Sequence, residues 1–353
     1  MVTRTRLRPP DPGRIWYGPP NAWSFALLPL SWLYCGVVLL RRLGYRRGWL
    51  ASERLQVPVI VVGNISVGGT GKTPLVLWLA QRLVAQGRHP GILTRGYGGK
   101  ARDWPCLVHA DSDPVAVGDE PVLLARRAGC PVVAGPDRIA AGLRLVRDLG
   151  CDILISDDGL QHYRLQRDLE IAAVDAQRGL GNRRCLPAGP LREPPGRLAQ
   201  VGLVVHTGAP GQVKARGPGH RLELVPGAAV NLAEPGRTRP LVAWCGEPLT
   251  AVAGIGNPGR FFALLRSAGL DPVERAYPDH HPFRAEDAAG WGEGAVLMTE
   301  KDAVKCAGLA RPNHWYLPVE ARPDGAFVTA LDQRLEGLIR GQEAAGHPGV
   351  PPL

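Results

Sequence analysis

The sequence predicts an α/β protein built on a parallel, helix-covered sheet, with a second, smaller α/β domain behind it. Three observations carry this expectation. Short β-branched runs alternate with helical stretches beyond residue 50, one strand-to-helix junction is a glycine loop closing on a lysine, and a fresh set of strand candidates follows a glycine- and proline-rich stretch.

In chain order, residues 15–40 contain no charged side chain, and the apolar part, 22–40, runs into Arg41, Arg42, Arg46 and Arg47. That reads as a membrane-contacting segment, retained as an anchor that either spans or lies in the interface, since Pro29 interrupts it near the minimum spanning length. A signal peptide is the competing reading, because Arg4, Arg6 and Arg8 precede the run, but no small-x-small cleavage site follows. Strands are expected at 57–62, 91–94 and 153–156, and helices at 73–86 and 139–149. Between 207 and 240 the chain turns rich in glycine, proline and arginine, and further strands are expected at 241–244, 251–255 and 295–299. The expected division is a membrane-associated segment over 1–50, a P-loop domain over 51–232, a smaller C-terminal α/β domain over 233–340 and a frayed tail over 341–353.

With 353 residues, 45% of them hydrophobic and 21% charged, the chain can bury a substantial core, which excludes a disordered protein. Seven cysteines without a C-x-x-C pair indicate neither a disulfide framework nor a zinc site. The net charge of +10 asks for an anionic partner, but 6% aromatic residues with no arginine-aromatic interleaving argue against nucleic acid. No obligate protein partner is evident. Lysine occurs only at Lys72, Lys100, Lys214, Lys301 and Lys305, so Lys72 inside a glycine loop stands out.

That loop lies in Val59-Ile-Val-Val-Gly-Asn-Ile-Ser-Val-Gly-Gly-Thr-Gly-Lys-Thr-Pro74, which joins an apolar strand to a helix start as a P-loop requires. Its glycines turn backbone N–H groups towards phosphate oxygens, Lys72 reaches the terminal phosphates and Thr73 is placed to ligate Mg²⁺. ATP-binding candidates are Ser66, Gly68, Gly69, Thr70, Gly71, Lys72 and Thr73; Ser66 stands where the strict pattern has glycine. The loop resembles those of partition-type ATPases too, but Val67 replaces their signature lysine. Asp157 and Asp158 end an apolar strand, the arrangement that sets a carboxylate beside the metal of a P-loop enzyme. Asp119 and Glu120 open a helical stretch, where they either cap it or serve the site. Asp279-His280-His281 in a proline-bounded loop is a metal site, a base assembly or a polar turn; its likeness to manganese phosphoesterases fails for want of their other aspartate motifs.

Taken together, Gly63-Asn64, Gly68-Gly-Thr-Gly-Lys-Thr-Pro74, Arg95-Gly-Tyr-Gly98, Gly118-Asp-Glu-Pro121 and Asp157-Asp-Gly-Leu-Gln-His162 resemble the lipid A 4'-kinase (tetraacyldisaccharide 4'-kinase) family in order and spacing. Pro187-Ala-Gly-Pro-Leu-Arg-Glu193, Gly254-Ile-Gly-Asn-Pro258, Asp279-His-His281 and Thr299-Glu-Lys-Asp-Ala-Val-Lys305 extend the resemblance over nearly all of the chain after the anchor. It implies a P-loop-type parallel sheet flanked by helices, an ATP- and Mg²⁺-dependent kinase, an anionic glycolipid acceptor and a place on the cytoplasmic side of the inner membrane. It also implies that Glu120, Asp157 and Thr73 support the metal, that Asp119 is the base paired with a histidine of the His280-His281 pair, here taken as His281, and that Asp158, Gln161 and His162 face the sugar or phosphates. Arg95, Tyr97, Arg138, Arg192 and Glu193 are expected to line the glycolipid cleft. The alternative is a membrane-associated P-loop NTPase acting as a nucleotide switch.

Overall fold

The structure, a computed structural model, describes residues 12–213 and 217–344. The three N-terminal arginines, Lys214 and, beyond helix Gly325–Ala344, the expected frayed tail lie outside the described residues.

Val59–Gly63 is buried at every position, which is how a strand covered on both faces reads, as a continuous apolar run without alternation. It pairs in parallel with Ile153–Asp157 on one side and Leu169–Asp175 on the other, and the register sets Val62 opposite Asp157. The strand that feeds the glycine loop and the strand that ends in carboxylates are thus neighbours. They form the centre of a nine-stranded sheet, ordered Val319–Pro323, His220–Pro226, Leu203–Gly208, Leu169–Asp175, Val59–Gly63, Ile153–Asp157, Pro90–Thr94, Val132–Ala134, Cys106–Val108. Only the two outermost pairings are antiparallel. One face is covered by helices Lys72–Ala85 and Gly325–Ala344, whose Leu75, Leu79, Phe327 and Leu331 are fully buried. Helix Arg138–Arg147 covers the other face, where Tyr34 and Cys35 of helix Leu28–Arg46 also pack.

A second, six-stranded sheet has the order Thr238–Arg239, Ala229–Asn231, His314–Leu317, Ala295–Thr299, Leu249–Ala253, Val273–Ala276. It carries helices Pro258–Ser267 and Glu300–Cys306 and has a core of its own around Trp244, Phe262 and Leu297.

The structure corrects two expectations and adds a strand that the sequence reading did not anticipate. The first domain does not end at 232: after the second sheet the chain returns, as Val319–Pro323 pairs antiparallel with His220–Pro226 and helix Gly325–Ala344 docks on the first core. The second unit is therefore an insertion, and residues 319–340 belong to the first. His220–Pro226 was hidden because its buried Leu222 and Leu224 alternate with Arg221 and Glu223 inside a stretch dominated by turn formers. Leu241–Trp244, expected as a strand, is a 3₁₀ turn started by Pro240, and it drops Trp244 into the core.

The apolar N-terminal stretch forms helices Ala22–Ala26 and Leu28–Arg46. Among the described residues no helix is long and apolar enough to cross a membrane. One face of the longer helix is fixed to the first unit, where Ser31 Oγ donates to the Cys185 carbonyl at 2.7 Å and Tyr34 donates to that of Arg192 at 3.2 Å. The opposite face leaves Trp32 and Leu33 68% and 66% exposed, with Leu30, Val37 and Leu40 beside them.

Phe327 packs against both Trp78 and His220, with ring centroids 5.9 Å and 5.6 Å away. Phe327→Ala is expected to destabilise the protein by about 3–5 kcal/mol, read from the shift of the denaturant unfolding midpoint. No shift would show that the helix contributes nothing to the first core.

Candidate active site

The glycine loop between Val59–Gly63 and Lys72–Ala85 is built as its sequence demands. Gly71 has φ +78°, a left-handed conformation, and a Cβ there would lie 2.8 Å from Leu224 Cδ1. Ser66, the departure from the strict pattern, is buried and bridged to Leu191, while Val67 N–H donates to the Pro190 carbonyl at 2.8 Å. Thr70 is likewise buried, its carbonyl accepting from Thr207 Oγ1 at 2.6 Å. Neither side chain lines the cavity that the loop borders, so both shape the loop. Gly68, Gly69, Gly71, Lys72 and Thr73 do line it.

That cavity holds about 1150 Å³ between the two units. On its first-unit wall Lys72 Nζ lies 3.4 Å from Asp158 Oδ1, and Arg192 Nη1 lies 3.0 Å from Asp158 Oδ2. Burial pushes the Asp158 carboxyl up, but the two cations more than reverse this and hold it at about 2. Asp158 adopts φ +47°, a conformation that non-glycine residues rarely keep unless their surroundings fix it. Its neighbour Asp157 is buried, with Oδ1 making no hydrogen bond, and burial followed by the nearby Glu120 and Asp158 charges raises its carboxyl well above the usual range. Arg138 is buried behind them and donates to the Asp157 carbonyl at 3.0 Å. Burial and the Arg138 charge push His162 down to about 4, so it is a neutral imidazole at the cavity wall.

The opposite wall comes from the insertion. Its 254–258 loop approaches the glycine loop so closely that a Cβ on Gly256 would lie 3.3 Å from Gly69 N. Beside it, His280 Nδ1 sits 3.1 Å from Asp119 Oδ2, and the Tyr97 ring packs 5.0 Å from the imidazole. Asp119 is buried at the start of helix Asp119–Arg127, and the hydrogen bond from His280 and the Lys301 charge bring its carboxyl below the ordinary value despite burial. The same hydrogen bond raises His280.

Two sequence expectations are corrected here. The histidine against Asp119 is His280, not His281: His280 has φ +58°, which turns its side chain back across the cleft, whereas His281 Nε2 faces Asp287 Oδ2 at 3.1 Å and packs between Tyr277 and Phe283. Glu193 does not line the cleft. It is fully buried beneath it, accepting from Gln161 Nε2 at 2.8 Å and from the Tyr163 hydroxyl, with Arg197 Nε 3.6 Å away. Arg95, Tyr97, Arg138, Gln161, His162 and Arg192 all border the cavity. Sequence reasoning missed Lys301, whose Nζ lies 3.0 Å from Glu120 Oε1, and Tyr34 and Arg41, which carry the N-terminal helix to the cavity rim.

A profile of the tetraacyldisaccharide-1-phosphate 4'-kinase family (LpxK) matches residues 23–336. The chain belongs to this kinase family. The tetraacyldisaccharide 4'-kinase of Alkalilimnicola ehrlichii is 55% identical over 324 residues, covering 91% of this chain and 95% of that protein. That of Nitrosococcus oceani is 49% identical over 89% of this chain and 91% of its own. The crystal structure of LpxK from Aquifex aeolicus in complex with ATP superposes with a TM-score of 0.72 at 30% identity, covering 91% of this chain and 99% of that one. In this 4'-kinase the resemblance read from the motifs and the fold agree.

Glu193→Ala removes the buried acceptor shared by Gln161 Nε2 and the Tyr163 hydroxyl, while Arg197, 2% exposed, keeps Glu170 as its ion-pair partner. A loss of about 1–3 kcal/mol in unfolding free energy is expected, measured by chemical denaturation, and an unchanged midpoint would contradict the buried network.

Proposed function

We propose that this protein transfers the γ-phosphate of ATP to the 4'-hydroxyl of a tetraacyldisaccharide 1-phosphate, the step of lipid A synthesis for which its family is named, at the cytoplasmic face of the inner membrane. The observation that carries the chemistry is the Asp119–His280 pair, a buried carboxylate and an imidazole from different units meeting beside the cavity that the glycine loop borders.

In this reading Lys72 and the loop N–H groups hold the β- and γ-phosphates, and Asp158 orients Lys72 through their ion pair. Asp158 is taken up by its ion pairs with Lys72 and Arg192, whereas Asp119 meets the His280 imidazole where the two units face each other, which makes Asp119 the base in this reading. The acceptor hydroxyl gives its proton to Asp119 as its oxygen bonds to the γ-phosphorus, and the bond to the bridging oxygen breaks to release ADP. His280 donates to the carboxylate and keeps it aimed.

Among the described residues no three acidic, histidine or cysteine side chains form a ready metal cluster. The donor set nevertheless suits Mg²⁺, which in such sites takes one or two carboxylates and completes its shell with phosphates and water. Asp157 offers an unpartnered buried oxygen, and Thr73 and Glu120 border the same cavity. These three residues would hold the ion, whose chemistry there is to neutralise phosphate charge.

Gln161 and Arg192, whose carbonyls accept from Arg41 and Tyr34 of the N-terminal helix, border the cavity with Arg95, Tyr97 and His162, a lining that suits a sugar phosphate, since an arginine fork matches phosphate oxygens. The exposed Trp32, Leu33 and Leu40 on that helix, with Arg41 and Arg46 following, suit a helix lying in the interface of an anionic leaflet.

The primary test follows labelled γ-phosphate from ATP onto a tetraacylated disaccharide 1-phosphate in mixed micelles. Wild type is expected to label the lipid and Lys72→Ala to label nothing; Asp119→Ala should slow transfer by about 10²–10⁴-fold with ATP affinity retained. Acceptor-independent phosphate release would replace the kinase reading with a nucleotide switch. Separately, the double change Trp32→Glu with Leu33→Glu is expected to lower sedimentation with phosphatidylglycerol vesicles about tenfold or more, and equal sedimentation of both proteins would remove the helix from the membrane reading.

A further inference from the structure

The run Thr299-Glu-Lys-Asp-Ala-Val-Lys305 has no part in the chemistry above, yet it is tightly built. Strand Ala295–Thr299 passes directly into helix Glu300–Cys306, and Thr299 Oγ1 accepts from Asp302 N–H at 3.2 Å while donating to Asp302 Oδ2 at 2.6 Å. Asp302 Oδ2 also accepts from Gly254 N–H at 2.9 Å, tying the helix start to the loop that presses on the glycine loop. This fixes where Lys301 points.

Lys301 Nζ faces three acceptors: Glu120 Oε1 at 3.0 Å, Asp279 Oδ1 at 3.4 Å and His280 Nε2 at 3.5 Å. Glu120 belongs to the first unit; Asp279 and His280 belong to the second. The partners are unequal in what they allow. An ammonium group only donates, and a neutral imidazole has one donor and one acceptor nitrogen. With Lys301 donating to Nε2, the ring proton must sit on Nδ1, the nitrogen 3.1 Å from Asp119 Oδ2. The Asp119 carboxylate favours the same tautomer; without the ammonium that preference loses its second support, since Nε2 can then carry the proton towards Asp279 Oδ1, 3.8 Å away, leaving the Nδ1 lone pair facing the carboxylate.

We propose that Lys301 is a positioning residue that sets the His280 tautomer and, through Glu120, makes the Asp119–His280 pair available only when the two units meet. The proposal rests on the kinase reading above. Lys301 acts through His280 and makes no contact with the reacting hydroxyl. Lys305, one turn further on, has a different duty: it is bound to Asp302 at 2.8 Å and to the Gly254 carbonyl at 3.3 Å, and lies over the Phe283 ring.

The test uses the full chain with ATP and the tetraacylated disaccharide 1-phosphate. Lys301→Met is expected to lower kcat by about 10²-fold, with KM for ATP within about threefold of wild type. Lys301→Arg, which keeps a donor-only cation, should recover most of that loss. In a His280→Ala background, Lys301→Met should cost less than about threefold more, because both changes remove one function. Imidazole-nitrogen-labelled histidine NMR should show the His280 proton moving from Nδ1 to Nε2 in Lys301→Met. A full further loss in the His280→Ala background, or an unchanged tautomer, overturns the proposal. Failure of wild type to label lipid defeats the kinase reading itself, whereas the NMR signal reports on Lys301 independently of turnover.

Discussion

The hydrogen bond between Asp119 and His280 joins two units whose cores touch where Val304 of the insertion packs into the first, and the rest of the site is arranged around keeping it. Neither partner holds its place alone. Asp119 is at a helix start in the first unit, buried where an unpaired carboxylate would be costly; His280 is in a left-handed conformation on a loop of the insertion. The 254–258 loop against Gly69 and the Lys301 contacts with Glu120 and Asp279 bring those two segments together. A carboxylate–imidazole pair assembled from both sides of a cleft exists only when the cleft is closed, which suits an enzyme that must withhold its phosphoryl group from water.

The glycine loop was legible because everything it needs is local: a buried β-branched strand, turn residues and a helix start in register. The carboxylates at the end of Ile153–Asp157 were legible for the same reason. The choice between His280 and His281 was not, since one residue's φ decides which ring crosses the cleft and which stacks on Tyr277 and Phe283. Glu193 looked like a ligand because its neighbour Arg192 is placed like one, but only tertiary packing shows that it lies under the wall. Lys301 did leave a trace. In a chain whose positive charge is almost all arginine, Lys72, Lys301 and Lys305 are three of five lysines, and all three face the carboxylates of the site.

The N-terminal helix shows how one element serves two environments. Its inner face is held by short polar contacts, Ser31 and Tyr34 onto carbonyls of the 185–192 segment, and its outer face is a row of large apolar side chains. Because that same segment carries Arg192 to Asp158, the outer surface and the phosphate-facing wall share one support. A lipid headgroup arriving beside the helix would meet Tyr34 and Arg41 before it reached the interior of the cavity.

The return of the chain into the first sheet also orders events during synthesis. The insertion, from Ala229–Asn231 to His314–Leu317, is contiguous and can pack its own core as soon as it leaves the ribosome. The first unit cannot: Val319–Pro323 and Gly325–Ala344 emerge later, and until they do Leu75, Leu79 and Leu83 lack the helix that covers them. The half that begins first is therefore finished last, and its exposed apolar face is where a nascent-chain chaperone has most to protect.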